Sequence, residues 1–499
     1  MPEFVRAYIV VVALSVFIFL LLRRLNIGFI HNTELKLWRN YWLVITTISF
    51  FSPNIWIYTF FIVILFAYAT TSQIDRVALF VAVICASPLF RVTIPGFGLF
   101  NFLIVLSYVN ILTLLILLPE YRKLRGSFRF PPNKLDKFVV IYVIVICLLN
   151  FRDNTMTNGI RESINYSLAI LLPYYALSRL VSDVDTLKKL LFTMLFCIAP
   201  LALIGTFESL KYWKLYSSSI AHVLEYSKGI DYGIRGNSLR ASALFVGPLT
   251  LGYAMTIGIG LTVFINKYTN KKTLLRVLVA FLVACLYFTK ARGSWVGILV
   301  LAILYIWSGP QKLGNLAKFS FAGLFSFGIL SLTSLGQKII QSLPFMSAAS
   351  SHEASTVDYR FRLLEQSWLV FKKHPLFGTT NYRETPEMEV MRQGQGIIDV
   401  VNSYVHIGLS YGLVGLSLFL IIFFGLFLSV FKSVKALPDN EVDLINIGRV
   451  LFAIQGSILV MIMTVSSIDY IPVFYWVISG LCCAYIKICH HHTKARLSL

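Results

Sequence analysis

The chain alternates long apolar runs with short polar interruptions. The runs fall at residues 4–22, 41–51, 55–71, 76–90, 100–118, 138–149, 164–181, 187–210, 243–265, 274–288, 295–307, 316–335, 403–431, 447–465 and 470–488. Many approach the roughly 20 residues that an α-helix needs to cross a bilayer. In lipid every backbone polar group has to be paired within its own structure, so such runs are read as helices. The pattern predicts an all-α integral membrane protein with about 12–15 transmembrane helices, the shorter runs being tilted, half-spanning or parts of longer helices with polar ends. Residues 41–51 read as one arm of a short hairpin that turns at Ser52, Pro53 and Asn54. Residues 4–22 lack a small-residue cleavage site and read as a first membrane helix rather than a signal peptide.

The largest polar interruption, residues 336–401, divides the chain. Residues 1–335 are N-terminal helices with short loops, 336–401 a loop with its own periodic pattern, and 402–499 the C-terminal helices and a basic tail. Long loops with internal pattern tend to carry function. Phe361, Leu364, Trp368 and Phe371 recur at three- and four-residue spacing and predict an amphipathic helix over 357–373, lying on the membrane surface. Asp358 in its first turn and Lys372 and Lys373 in its last suit the helix dipole, and Pro375 and Gly378 stop it.

Charge then gives the chain a direction. Lys and Arg outnumber Asp and Glu 44 to 23, yet only 13% of residues are charged and mean hydropathy is +0.75. The excess of basic residues is therefore an orientation signal rather than a nucleic-acid signal. The segment 119–137 holds Arg122, Lys123, Arg125, Arg129, Lys134 and Lys137; 266–276 holds Lys267, Lys271, Lys272 and Arg276; the tail holds Lys494 and Arg496. These mark the cytoplasmic side. Counting helices alternately from them puts 151–163, 211–242, 289–294 and 336–402 on the opposite, periplasmic side. All seven cysteines lie within or at the ends of apolar segments, so no disulfide framework is expected. No metal-ligand spacing and no phosphate-binding glycine loop stands out, and no cofactor is expected.

That opposite side carries arginines which the orientation rule does not explain. Arg240 and Arg292 stand at helix boundaries, and Arg360 and Arg362 lie in the loop. A guanidinium there is costly unless it is paired or faces a polar cavity. Its planar fork suits two oxygens of a phosphate group. Together they predict a diphosphate clamp. Candidate bases on the same side are Asp358, Glu365, Asp399 and His406, and Asn402 and His406 share a helix face with Tyr404 between them.

Several short motifs in this region have a familiar order. Ala291-Arg292-Gly293-Ser294-Trp295, Arg240-Ala241-Ser242, the segment from Trp368 through Lys373-His374-Pro375-Leu376-Phe377-Gly378, Asn402-Ser403-Tyr404, and Tyr411-Gly412-Leu413-Val414-Gly415-Leu416 resemble motifs of the O-antigen ligase and polymerase superfamily of bacterial membrane proteins. The resemblance spans about residues 235–420. Ile94-Pro95-Gly96 is similar to a feature of the exopolysaccharide polymerase-like members. It implies a glycosyltransferase C-like helical fold with one large periplasmic loop, in the bacterial inner membrane. It also implies a glycan donor on undecaprenyl diphosphate and a glycan acceptor. Transfer inverts the anomeric carbon without a metal, and arginines matching Arg240, Arg292 and the loop pair hold the diphosphate. A chain-length regulator or a flippase is a further implied partner. Ligases carry a His directly before the Asn of the Asn402 motif; Val401 stands there in this chain, which favours a polymerase of repeat units. The alternatives are a ligase that moves finished glycan to lipid A core and a lipid-linked oligosaccharide transporter. A transporter would place charge along a mid-membrane path and usually shows repeat symmetry, neither of which the sequence displays.

Overall fold

The computed structural model describes residues 1–67, 75–98, 101–124, 133–224, 233–235, 238–245, 247–334, 337, 351–393 and 396–497. Arg125, Arg129 and Lys338 lie outside them. Its helices are α1 (Glu3–Arg24), α2 (Asn32–Phe51), α3 (Ile55–Ala67), α4 (Arg76–Val83), α5 (Tyr108–Leu112), α6 (Leu118–Leu124), α7 (Lys134–Asp153), α8 (Met156–Tyr166), α9 (Leu172–Leu180), α10 (Val184–Lys211), α11 (Ser217–Leu224), α12 (Pro248–Ile265), α13 (Lys272–Thr289), α14 (Arg292–Trp307), α15 (Lys312–Leu332), α16 (Ser351–Lys373), α17 (Pro386–Glu389), α18 (Ser403–Ala436), α19 (Val442–Met461) and α20 (Ile471–Leu497). This is an all-α integral membrane protein.

Among the described residues, seven helices are long and apolar enough to cross a membrane: α1, α10, α12, α13, α18, α19 and α20. The other apolar runs are present in other forms. α3 and α14 are apolar but shorter. α2 begins earlier than its apolar run, and its first half carries Glu34, Lys36 and Arg39. α5 passes into α6, and α8 into α9, through single π-helical turns at Thr113–Leu117 and Ser167–Leu171. The run at 100–118 is not one helix. Its first part is a strand, β2 (Phe102–Ser107), paired antiparallel with β1 (Arg91–Pro95). Branched and aromatic side chains suit an extended strand, and Arg161 fixes the hairpin by donating to the Phe102 and Leu103 carbonyls and lying over the Phe102 ring at 3.8 Å.

The helices bury one continuous apolar core. At one end Asp136, 1% exposed, lies between Arg179 and Lys487 at 3.2 Å each. Lys188 pairs with Asp443 at 2.5 Å, and Tyr268 donates to the same Asp443 at 2.9 Å. The segment 266–276, one of the basic connections, is at this end. The opposite end gathers the C-termini of α10, α13 and α19, the N-termini of α12, α14, α18 and α20, and α16 with the described residues that follow it to α18. The N-terminus is at this second end too, because Trp213 donates its indole N–H to Glu3 at 3.2 Å.

The loop forms a small core of its own. Leu363 and Val370 of α16 pack with Tyr382, Met388, Met391, Ile398 and Val400. Phe361, Leu364 and Trp368 of the predicted apolar stripe lie on a different, exposed face of the helix. Two glycines then lock the loop to α18. At Gly412 (φ +64, ψ −162) α18 breaks into two helices, and the 374–378 turn fits against the break. Thr379 N–H donates to the Leu409 carbonyl at 2.8 Å, Leu413 N–H to that of Pro375 at 2.8 Å, and Val414 N–H to that of Leu376 at 3.1 Å. A Cβ on Gly412 would run into the Leu376 carbonyl, and one on Gly378 into the Leu409 carbonyl. The His-Pro-Leu-Phe-Gly and Tyr-Gly-Leu stretches are thus two sides of one backbone clasp, which sets the height of α16 against the bundle.

Candidate functional site

Four segments build a basic site at the second end of the bundle. The first begins in the last turn of α10. Glu208 is fully buried there. Its carboxylate accepts the backbone N–H groups of Leu215 at 2.9 Å, Ser242 at 3.3 Å and Ala243 at 2.8 Å. Lys214 donates its ammonium to the Arg240 carbonyl at 2.7 Å and to Ser242 Oγ at 2.5 Å. A carboxylate and an ammonium therefore fold the 240–243 turn, in which Ala243 is held left-handed at φ +50. Burial, more than the opposing pull of Glu208, lowers the proton affinity of Lys214.

The second segment is the 289–292 turn between α13 and α14. Arg240 Nε donates to the Thr289 carbonyl at 2.9 Å, and Arg235 Nη1 reaches the Lys290 carbonyl at 3.5 Å. Both guanidiniums are thereby hung on a turn whose Lys290 is left-handed at φ +51. Arg292 opens α14 directly after it. The small residues around Arg292 have a steric cause. Gly293 sits against the Thr464 side chain, and a Cβ on Gly252 of α12 would lie 2.9 Å from that of Ala291.

The third segment is α16, which brings Arg360. Its Nε is buried with no hydrogen-bond partner among the described residues. Burial first, and then the charges of Arg292 and Arg235, lower its proton affinity; Asp399 acts in the opposite sense. Arg240 is pushed down to about 10 by burial and by Arg235. The fourth segment is 399–403 with the turn before α20. Ser466 Oγ donates to Asp399 Oδ1 at 2.8 Å and to the Val400 carbonyl at 2.9 Å, while Ser403 N–H donates to the Ile462 carbonyl at 2.9 Å. The result is four guanidiniums, Arg235, Arg240, Arg292 and Arg360, whose charges act on one another, with the Asp399 carboxylate at their edge. Such a group is matched by an anion with several oxygens.

Residues 277–420 match the family model described as O-Antigen ligase. Over this part, less than a third of its length, the chain is similar to the O-antigen ligase and polymerase superfamily. No curated protein matches it. The match supports glycosyl transfer of the O-antigen ligase or polymerase type in general. The matched span runs from α13 into α18. It takes in Arg292, Arg360, Asp399 and both sides of the glycine clasp, while Arg235, Arg240 and Glu208 precede it.

The remaining residues singled out in the sequence occupy different places. Arg362 is not with the other arginines: it pairs with Asp358 at 2.8 Å on the open side of α16, both side chains 62% exposed. Four-residue spacing on a helix favours that pairing and turns Arg362 away from Arg360. Glu365 is exposed on the same helix. His406 Nδ1 lies 3.0 Å from the Tyr382 hydroxyl, against the loop's own core. Asn402 caps α18 by accepting the N–H groups of Tyr404 and Val405 at 2.9 and 3.2 Å. Tyr404 donates its hydroxyl to the Leu459 carbonyl at 2.8 Å.

Sequence reasoning passed over Glu208 and Lys214 and left Arg235 out of the clamp. Glu208 had a signal, since it is the one acidic residue in the apolar run 187–210. Arg235 lies five residues before Arg240 in the same polar segment, and a two-rung ladder of Ile234–Arg235 with Ser238–Leu239 folds the two together.

Proposed function

We propose that Arg235, Arg240, Arg292 and Arg360 hold the diphosphate of an undecaprenyl-diphosphate-linked oligosaccharide, and that the chain polymerises such repeat units at the periplasmic face of the bacterial inner membrane. The product is a surface polysaccharide or exopolysaccharide. The observation that carries this reading is the convergence of four guanidiniums, two of them with lowered proton affinity, beside the Asp399 carboxylate. In the proposed step an acceptor hydroxyl attacks the anomeric carbon from the side opposite the diphosphate. The bond from that carbon to the diphosphate oxygen breaks, and the configuration inverts. Charge develops on the leaving diphosphate, where fixed guanidiniums in a water-poor site stabilise it most. Asp399 is the base proposed for the hydroxyl proton, because it is the candidate carboxylate placed beside the arginines.

The sidedness is supported by the basic connection 266–276 at the far end of the bundle, as the positive-inside rule expects. Val401, in place of the ligase His, supports polymerase over ligase. The description of the matching family model favours the ligase as the second reading. A flippase or chain-length regulator would work beside either enzyme. Purified protein given a lipid-diphosphate repeat unit separates them on a gel. A ladder of products supports the polymerase, product formed only with core lipid supports the ligase, and no product in either case overturns both.

A further inference from the structure

Helix α16 has an apolar face that the loop's core does not use. Leu363, Ser367 and Val370 point into that core. Phe361 and Trp368, 63% and 56% exposed, form a separate stripe with Leu364, and the Trp368 ring stacks on Phe371 at 5.6 Å between centres. Leaving three side chains of this size in water is unfavourable. The stripe does not end with the helix. Leu376 and Phe377 follow, both exposed, in the turn that hydrogen-bonds to the break in α18. Immediately past the break, Leu413, Ile421, Phe424 and Leu428 of α18 are exposed at helical spacing. α18 is one of the helices apolar enough to cross the membrane, so this is its lipid-facing side.

The apolar surface of α16 therefore continues the lipid-facing side of α18 across the glycine clasp. Its composition is that of a bilayer boundary. An aromatic ring large enough to span water and hydrocarbon sits under a lysine, with Lys372 Nζ 5.6 Å from the Trp368 ring centre. The geometry points to a lipid surface as the partner of this face: α16 lies in the headgroup layer of the leaflet at the second end of the bundle, with Phe361, Leu364 and Trp368 inserted. Arg360 stands on the seam between the inserted stripe and the buried face of the helix. Docking would hold its guanidinium at the depth of lipid phosphates, and this last consequence rests on the diphosphate reading.

The test places a nitroxide at Leu364→Cys or, on the far side of the helix, at Leu369→Cys. The background carries Cys147→Ser, and the protein sits in nanodiscs of phosphatidylethanolamine and phosphatidylglycerol. Collisions with dissolved oxygen are compared with collisions with a water-soluble nickel chelate. Docking predicts a several-fold higher oxygen-to-nickel ratio at 364 than at 369. Equal nickel access at both positions overturns it, and so does exclusion of both reagents at 364, which would assign the stripe to a protein partner. The readout needs no turnover. A negative result leaves the diphosphate reading standing, and loss of diphosphate binding elsewhere leaves the docking standing.

Discussion

The carboxylate of Glu208, at the end of α10, accepts the backbone N–H of Ala243 at 2.8 Å, thirty-five residues further along the chain. With Lys214 it folds the turn that carries Arg240. Glu208 and Lys214 are both buried and act on each other through their charges, and removing one such charge leaves the other uncompensated, at a cost of about 3–5 kcal/mol. Glu208→Gln should therefore lower the thermal midpoint in detergent strongly. The double variant Glu208→Gln with Lys214→Met should recover part of the loss, since the stranded ammonium is gone. Additive losses in that cycle would show that the two groups do not act as a pair.

The clasp gives a second prediction. Gly412→Ala and Gly378→Ala each force a side chain onto an opposing carbonyl and into a left-handed backbone. The left-handed conformation alone costs about 1–2 kcal/mol for a residue with a Cβ, and each hydrogen bond lost as the backbones part adds about 1 kcal/mol. Gly396→Ala, also left-handed but in open space, should show only the first cost. Size-exclusion profiles and thermal midpoints of the three variants check the order.

Arg360 and Arg362 stand two residues apart and should behave differently. Arg360→Ala or Arg240→Ala should lower chain elongation about 100-fold or more, the loss typical of removing one donor from a charge-stabilising site. Arg362→Ala should cost little, because an exposed ion pair is worth about 0–1 kcal/mol. Inorganic pyrophosphate should raise the thermal midpoint of the parent and of Arg362→Ala but not of Arg360→Ala. The effect has a pH limit. Arg240 is pushed down to about 10, so it is charged at neutral pH and loses its proton as pH rises through that value. The anion favours the charged form. Pyrophosphate stabilisation should therefore be flat around neutral pH and fade above about 10. A midpoint shift that persists well above that pH would count against Arg240 as a ligand.

Asp399 and His406 separate the candidate bases. Asp399→Asn should lower elongation by about 100- to 10,000-fold, the range for loss of a general base, with pyrophosphate binding retained. His406→Gln should leave elongation within a few-fold of the parent. Its effect should appear in stability, at about 1 kcal/mol, and match that of Tyr382→Phe, which removes the other end of the same hydrogen bond. A large loss of elongation in His406→Gln with Asp399→Asn near normal would reverse the assignment.

Much of the architecture was legible from the apolar runs, because lipid leaves a spanning segment little choice but helix. The exceptions have local causes. At 102–107 a partner strand was available from residues 91–95; pairing with it satisfies one edge of the strand, and Arg161 donates to the Phe102 and Leu103 carbonyls. The apolar stripe of α16 was visible at its spacing, but the helix's buried face is another one, built on Leu363 and Val370. That face could not be chosen without knowing that residues 382–400 fold back against it.

The sequence by itself determined that the chain is a helical membrane protein, which segments share an end, and that unexplained arginines collect there. Charge and hydropathy act through the bilayer, which is the same for every residue and can be read one position at a time. Tertiary structure decided which arginines meet. Arg235 joins Arg240 through a two-rung ladder, Glu208 folds the turn that presents Arg240, and Arg362 is turned away from Arg360 by two positions along α16. The motif glycines are a backbone clasp for the same reason. Those outcomes depend on contacts between residues far apart in the chain, and no local pattern records where a turn will find its partner.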